Sequence, residues 1–379
     1  MTRPAAALDV ERVRAGVDAA LAAHVSTLSD ELASIAADSA PLVDAVRVML
    51  AGGKRLRAAF CYWSWRAHGG GEAMHSTAQE ERDGLAARDE VLRVGAALEL
   101  FQAAALFHDD VMDDSDTRRG HRAAHHEFAA VHEEQSWSGS ARRFGESAAI
   151  LLGDLTLIAS EREFSAAVRT LGPATRLRAQ ETYDSMRTEV TVGQYLDVVA
   201  QALPWGTDAR ADEARARAVI RSKSARYSVE HPIVLGAVLA GASDDQIDQC
   251  RRIGLPLGEA FQLRDDVLGV FGDPSTTGKP AGDDLREGKR TVLVARALEH
   301  SDGADRDLLL ASLGNRLLEA QEIESLRAAI ARSGAVAQVE GLIRELSQPA
   351  LESLRLTDLL EPGRSMLAEL GEAAIVRES

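Results

Sequence analysis

The sequence predicts an all-α protein, and three observations carry that prediction. Prolines are few, 10 in 379 residues, so long stretches contain no helix breaker. Aromatic residues make up only 4% of the chain, whereas Ala, Leu, Arg and Glu, all strong helix formers, are abundant. Apolar residues recur at helical spacing, and no segment alternates with the two-residue period of a half-buried strand.

Taken in order, residues 9–50 read as amphipathic helix, because Val10, Val13, Val17 and Leu21 recur at steps of three and four. Gly52-Gly53 breaks that pattern, and a second helix runs from Arg57 to about Ala67. Residues 68–88, opening on His68-Gly69-Gly70-Gly71-Glu72, read as a polar surface loop with no core role. A strongly apolar helix follows over 89–113. Residues 114–144 are rich in Arg, His, Gly and Ser and contain a mobile loop at about 136–145. Further helices are expected at 146–170, 174–202, 209–228, 232–241, 245–271 and 288–300. At least two more fill the C-terminal part, separated near Ser333-Gly334 and Gln348-Pro349. No repeat, low-complexity tract or compositional seam divides the chain, so residues 1–379 read as one domain.

The bulk numbers narrow the function. A hydrophobic content of 45% supports a large core, and the net charge of −16 opposes nonspecific binding to nucleic acid or anionic membranes. A local basic pocket remains compatible with that charge. Cys61 and Cys250 provide neither a disulfide framework nor metal-finger spacing. The first twenty residues lack the apolar core of a signal peptide, and no uninterrupted apolar run approaches the ~20 residues needed to span a bilayer. The expected compartment is the cytoplasm.

Two aspartate clusters carry the chemistry. The first is His108-Asp109-Asp110-Val111-Met112-Asp113 and the second Arg264-Asp265-Asp266-Val267-Leu268-Gly269, about 150 residues later. Asp109 and Asp113 are four apart, so on a helix their carboxylates share one face. Oxygen ligands held in that way suit Mg²⁺, which takes one or two carboxylates, several waters and substrate phosphates. Gln262 and Asp266 share a face in the second cluster. Basic residues accompany both: Lys54 and Arg57 after Gly52-Gly53, Arg118-Arg119-Gly120, Lys223-Ser224, Lys279, and Lys289-Arg290. A solvated surface charge explains any one of these, but not their joint arrangement.

These residues resemble a known family. GGKRLR, HDDVMDDSDTRRG, GQYLDV, KSARYS and FQLRDDVLGVFGD followed by GKPAGDDLREGKRT occur in the order found in trans-isoprenyl diphosphate synthases, the polyprenyl synthetases. The motifs occupy residues of about 50–295 and most closely resemble geranylgeranyl diphosphate synthases. The resemblance implies a bundle of about ten or more helices around a central apolar cavity, and a homodimer. It implies that Asp109, Asp110, Asp113, Asp265 and Asp266 bind about three Mg²⁺ ions bridging an allylic diphosphate (dimethylallyl, geranyl or farnesyl). Arg118, Lys223, Lys279 and Lys289 would hold that diphosphate. Lys54, Arg57, Arg119 and Gln102 would form the isopentenyl diphosphate pocket, while Gln262 and Ser224 would direct oxygen dipoles at the allylic cation. The chain departs from the family at Gly269, where a third aspartate is usual, and at Ala58, Ala123 and Ser224.

Product length depends on the helix before Asp109. In the family, bulky residues four and five positions earlier stop the product at fifteen carbons; here those positions are Ala105 and Ala104. Phe101 lies eight positions before Asp109, about 12 Å along a helix, and would set a floor near twenty carbons. The expected product is therefore geranylgeranyl diphosphate, with farnesyl or longer polyprenyl diphosphates as alternatives. A class I terpene cyclase and a non-catalytic subunit of a heteromeric synthase are more distant readings. The first would not need GGKRLR, and the second would not keep five aspartates. His121 and His125 are four apart but lack a carboxylate motif, and the stretch His121–His132 is read as a loop near the site entrance rather than as a metal site. A closing role for Arg377 stays open.

Overall fold

The structure, a computed structural model, describes residues 9–71, 78–272 and 282–376. It is all-α, as expected. In chain order the helices are α1 (Val13–Ile35), α2 (Ala40–Leu50), α3 (Leu56–Ala67), α4 (Ala78–Met112), α5 (Ala124–Glu134), α6 (Ala141–Val168), α7 (Pro173–Ala202) and α8 (Ala209–Val219). A π-helical stretch, Ile220–Glu230, leads into α9 (His231–Leu239) and α10 (Asp244–Phe271). Then come α11 (Asp283–Glu287), α12 (Val292–His300), α13 (Gly303–Ser312), α14 (Ala320–Arg332), α15 (Ala335–Leu356) and α16 (Gly363–Ile375). Two-residue strands, β1 (Thr117–Arg118) and β2 (His121–Arg122), form the only strand pairing among the described residues.

The chain forms two compact units. The first is Met1–Tyr183, Pro232–Cys250 and Asp358–Leu370; the second is Asp184–His231, Arg251–Thr357 and Gly371–Ser379.

In the first unit α4 is the central element, packed against α1, α3 and, most extensively, α6. Val91, Val94, Ala96, Ala97, Leu98 and Leu100 are all buried. A helix buried on nearly every side needs apolar residues all round. This is why Gly84–Met112 is long and apolar enough to cross a bilayer, although 72% of its most apolar window lies inside the protein. The α1 helix contributes the buried stripe Val13, Val17, Leu21, Val25, Leu28 and Leu32. A charged knot joins three of these elements: Arg55, in a left-handed conformation before α3, donates to Asp18 at 2.9 Å, to Glu99 at 3.0 Å and to the Leu50 carbonyl. Arg55 and Glu99 are both buried.

In the second unit α12 packs on α8 and α15. The α12 helix is nearly all buried, through Val292, Leu293, Val294, Ala295, Ala297 and Leu298. Thr291 caps its first turn.

Several expectations are corrected. The single amphipathic segment at 9–50 is two helices, divided by a short 3₁₀ turn, Ala37–Ser39. The loop read at 68–88 is helical from Ala78 onward. Its polar sequence concealed that start, and Arg88 within it donates to Tyr62 Oη at 3.2 Å and to the Glu11 carbonyl at 2.6 Å. The loop read at 136–145 ends at Ser140, whose hydroxyl accepts from the Arg143 amide and starts α6. The helix expected over 209–228 widens to a π-helix from Ile220. Pro349 does not end a helix but lies inside α15. A proline there costs about 3 kcal/mol, which the buried residues around it (Ile343, Ala350, Leu351 and Leu354) offset.

Arg55→Ala leaves the Glu99 carboxylate buried without its main cation. It is expected to destabilise the fold by about 3–5 kcal/mol, read as a large fall in the urea unfolding midpoint. An unchanged midpoint would show that the knot is dispensable.

Candidate active site

The first unit presents its aspartates at the C-terminal end of α4. Asp110 and Asp113 are buried, at 1% and 3% exposure, and Asp109 is half-buried. Carboxylates at this end of a helix oppose its macrodipole, so they need positive charge nearby. Arg118 supplies part of it: Nε donates to Asp110 Oδ1 at 2.8 Å, and Nη2 reaches both Asp110 and, at 3.4 Å, Asp109 Oδ2.

The β1–β2 hairpin holds Arg118 there. Its two turn residues, Arg119 and Gly120, have φ of 54° and 79°, the pairing that suits the twist of a two-residue hairpin. The turn sends the consecutive arginines to different partners. Arg119 donates to the Met49 carbonyl at 2.6 Å and approaches that of Ala51 at 3.4 Å. Desolvation, together with the nearby cations Arg55, Arg118 and Arg57, lowers the Arg119 pKa, while Glu99 acts against them. Arg119 and Arg57 thus gather near the Gly52-Gly53-Lys54 corner, where Lys54 is exposed. Along α4, Phe101 and Ala104 are buried and Gln102 and Ala105 half-buried. Phe101, Ala105 and Asp109 recur every fourth residue on one uninterrupted helix.

The second unit gathers the other set. Lys223 Nζ lies 2.6 Å from Asp197 Oδ2. The Ser224 hydroxyl donates to Gln262 Oε1, and Gln262 Nε2 donates to Asp266 Oδ1 at 2.8 Å. Burial pushes the Asp266 pKa up to about 7, and the charges of Asp284 and Asp265 add to the shift. The Gln262 hydrogen bond and Lys289 oppose it. Lys289 Nζ stands 3.4 Å from Asp284 and 3.0 Å from Glu287. Arg264, beside the cluster, anchors α10 through Glu340 at 2.7 Å and the Ile375 carbonyl at 3.0 Å. Lys279 and Arg377 lie outside the described residues.

Sequence reasoning did not assign Asp197, Asp284 or Glu287, although GQYLDV and GDDLREGK contain them. Their pairing with lysines depends on tertiary packing and on a short helix, neither visible as periodicity. The histidine stretch is also corrected. His121 sits in β2 and His125 in α5, so the two do not share a helix face. Asp114, His125 and His126 do bring one ligand atom each within 4.8 Å of the others. Arg142, 3.9 Å from Asp114, already supplies positive charge there.

Every donor in the two aspartate clusters is a carboxylate oxygen, the ligand type Mg²⁺ prefers. Burial first, and then the like charges of Asp284 and Asp265, make the ionised Asp266 costly, and a bound cation would relieve that cost. The residues therefore fit the metal.

The polyprenyl synthetase family profile matches residues 40–330. The chain belongs to the polyprenyl synthetase family. It is therefore a prenyltransferase. The geranylgeranyl diphosphate synthase of Methanosarcina mazei is 30% identical over 359 residues, 94% of this chain and 95% of that protein. That of Mycobacterium tuberculosis is 29% identical over 351 residues, 91% and 87% of the two chains. The polyprenyl synthetase fold is also seen in the solved geranylgeranyl pyrophosphate synthase from Corynebacterium glutamicum, complexed with isoprenyl diphosphate and magnesium. It superposes with a TM-score of 0.86 at 34% identity, covering 97% of this chain and 98% of that one. The polyprenyl synthase from Caulobacter crescentus, complexed with calcium and isoprenyl diphosphate, gives 0.74 at 25% identity over 99% and 98%.

A carboxyl whose pKa rises on folding costs stability as pH climbs above its ordinary value of 3.8, and the full cost is reached above about 7. At pH 8 the metal-free Asp266→Asn protein is expected to melt about 2–4 °C above the parent while losing prenyl transfer. A lower melting temperature would show that the charged carboxylate supports the fold.

Proposed function

We propose that this prenyltransferase joins isopentenyl diphosphate head-to-tail to an allylic diphosphate in a Mg²⁺-dependent reaction, with all-trans geranylgeranyl diphosphate as the main product. One observation carries this reading: the chain holds carboxylate clusters with their own cations in each unit, Asp109/Asp110–Arg118 in the first and Asp265/Asp266/Asp284–Lys289 in the second, and the first unit also holds a basic corner at Lys54, Arg57 and Arg119. Two groups that combine carboxylate with cation suit a metal diphosphate, and a basic corner suits a second diphosphate.

Asp109, Asp110, Asp113, Asp265 and Asp266 would hold about three Mg²⁺ ions, which when bound neutralise diphosphate charge as it develops. Arg118, Lys223, Lys279 and Lys289 would hold the allylic diphosphate; in the free protein, Asp110, Asp197 and Asp284 keep three of these four cations oriented. The allylic carbon–oxygen bond breaks, and both electrons leave with the diphosphate. The oxygens of Ser224 and Gln262, aligned by their mutual hydrogen bond, would face the resulting cation. Lys54, Arg57, Arg119 and Gln102 would hold isopentenyl diphosphate, whose double bond supplies the pair for the new carbon–carbon bond. Loss of a proton to the departed diphosphate restores a double bond. No protein side chain is assigned as the base.

We read residues 1–379 as one synthase domain, since the family match takes in segments of both units. Location in the cytoplasm is supported by two buried free thiols, Cys61 and Cys250. A homodimer is supported by α6, where Phe144, Leu151 and Ile158 recur every seventh residue at 37%, 60% and 52% exposure. Such an apolar stripe calls for a partner.

Incubation with Mg²⁺, isopentenyl diphosphate and each allylic primer should yield a twenty-carbon diphosphate. No elongation with any primer would favour a partner subunit, and a cyclic hydrocarbon a cyclase. Ala105→Phe is expected to shift the main product to fifteen carbons; an unchanged product profile would refute the ruler along α4. Leu151→Glu should convert a dimer to monomers in light scattering, and a parent protein that is monomeric at micromolar concentration would overturn the pairing.

A further inference from the structure

The second aspartate cluster is one carboxylate short. In the first cluster Asp113 stands one helical turn after Asp109, but the matching position after Asp265 is Gly269. The space above Gly269 is nevertheless filled. A Cβ at that position would lie 1.8 Å from Asp284 Oδ2, so a carboxylate oxygen from another segment stands where a side chain at 269 would begin. Both residues belong to the second unit.

The backbone carrying Asp284 is fixed. The Lys289 amide donates to the Asp284 carbonyl at 3.0 Å, and the Gly314 amide donates to that of Leu285 at the same distance. Arg286 reaches the Leu318 carbonyl at 3.1 Å. The Asp284 side chain is only 12% exposed, and its Lys289 partner lies 3.4 Å away. A carboxylate leaning onto a glycine beside two other carboxylates has little reason to stay there for packing alone. It restores the count of carboxylates available to a hard divalent cation.

We propose that Asp284 serves as the third carboxylate of the second cluster, in place of the residue missing at Gly269. The glycine is then a requirement of the arrangement rather than a loss: any side chain at 269 would displace the Asp284 carboxylate. Lys289 shares that carboxylate in the free protein and is released toward diphosphate when a cation takes its place. This inference rests on the reading of Asp265 and Asp266 as metal ligands.

The test measures metal binding directly. Mn²⁺, as a spectroscopic probe for Mg²⁺, is titrated into the full-length protein with inorganic pyrophosphate and followed by electron paramagnetic resonance, and melting curves report folding. Asp284→Asn, which keeps the side-chain shape and a hydrogen bond to Lys289, should weaken Mn²⁺ binding by about 10–100-fold, the range seen when groups supporting a metal site are removed. Asp284→Ala should do the same. Gly269→Asp alone should also weaken binding, whereas the transfer variant Gly269→Asp/Asp284→Ala should recover most of it. Parent-like binding by Asp284→Asn, with binding lost in Asp265→Asn, would confine Asp284 to its ion pair and leave the metal reading intact. A folded transfer variant no better than Asp284→Ala would likewise overturn the proposal. Parent-like binding by Asp265→Asn would remove the metal reading itself, and this inference with it.

Discussion

A carboxylate held away from water must be matched by positive charge, and much of this protein is arranged around that requirement. Removing one partner from a buried pair costs several kcal/mol because the other is left uncompensated. Glu99 is answered by Arg55, Glu163 by Arg93, and Glu259 by Arg217 and Arg221. These pairs tie helices together within each unit. The aspartates of the two clusters obey the same rule only in part. Asp110 has Arg118, yet Asp266 is pushed toward neutrality by its surroundings. A structural pair is complete by itself, whereas a site is left to be completed by a ligand.

The backbone departs from regular geometry at or beside several of the cations proposed for the site. Arg55 and Arg119 adopt left-handed conformations, uncommon for side chains of this size. Lys223 and Ser224 lie in the π-helical stretch, a geometry that often marks functional positions. Each irregularity redirects neighbouring residues. Arg118 and Arg119, adjacent in sequence, reach separate partners, and Arg55 turns inward while Lys54 stays exposed. Regular helix could not divide adjacent cations between a structural role and an exposed one so sharply.

This division also explains what was legible in the sequence. The α4 core and the aspartate clusters were readable, because helical spacing and acidic repetition survive in one dimension. Helix starts rich in charge, as at Ala78, leave no apolar periodicity to detect. Pro349 was misleading because its local cost is set against burial by neighbours distant in sequence. The π-helix carries no compositional mark. Asp197 and Asp284 were hidden for a related reason: an acidic residue reads as surface until packing shows which lysine it meets. Gly269 looked like a weakened motif, and only the position of Asp284 shows what occupies the space.

The α4 helix has one further consequence. The residues that would gauge product length sit on the same helix that forms the centre of the first unit's core, and the two neighbouring alanines differ in surroundings. Ala104 is 2% exposed, so a larger side chain there would have to displace packed neighbours, at a cost of roughly 1–3 kcal/mol. Ala105 is only half-buried, so fewer packed neighbours oppose a larger side chain there. Selection for shorter products would therefore run mainly through position 105, while position 104 is held by stability. If these positions gauge the product, the route by which new product specificities can evolve would be narrowed by the packing of a single helix.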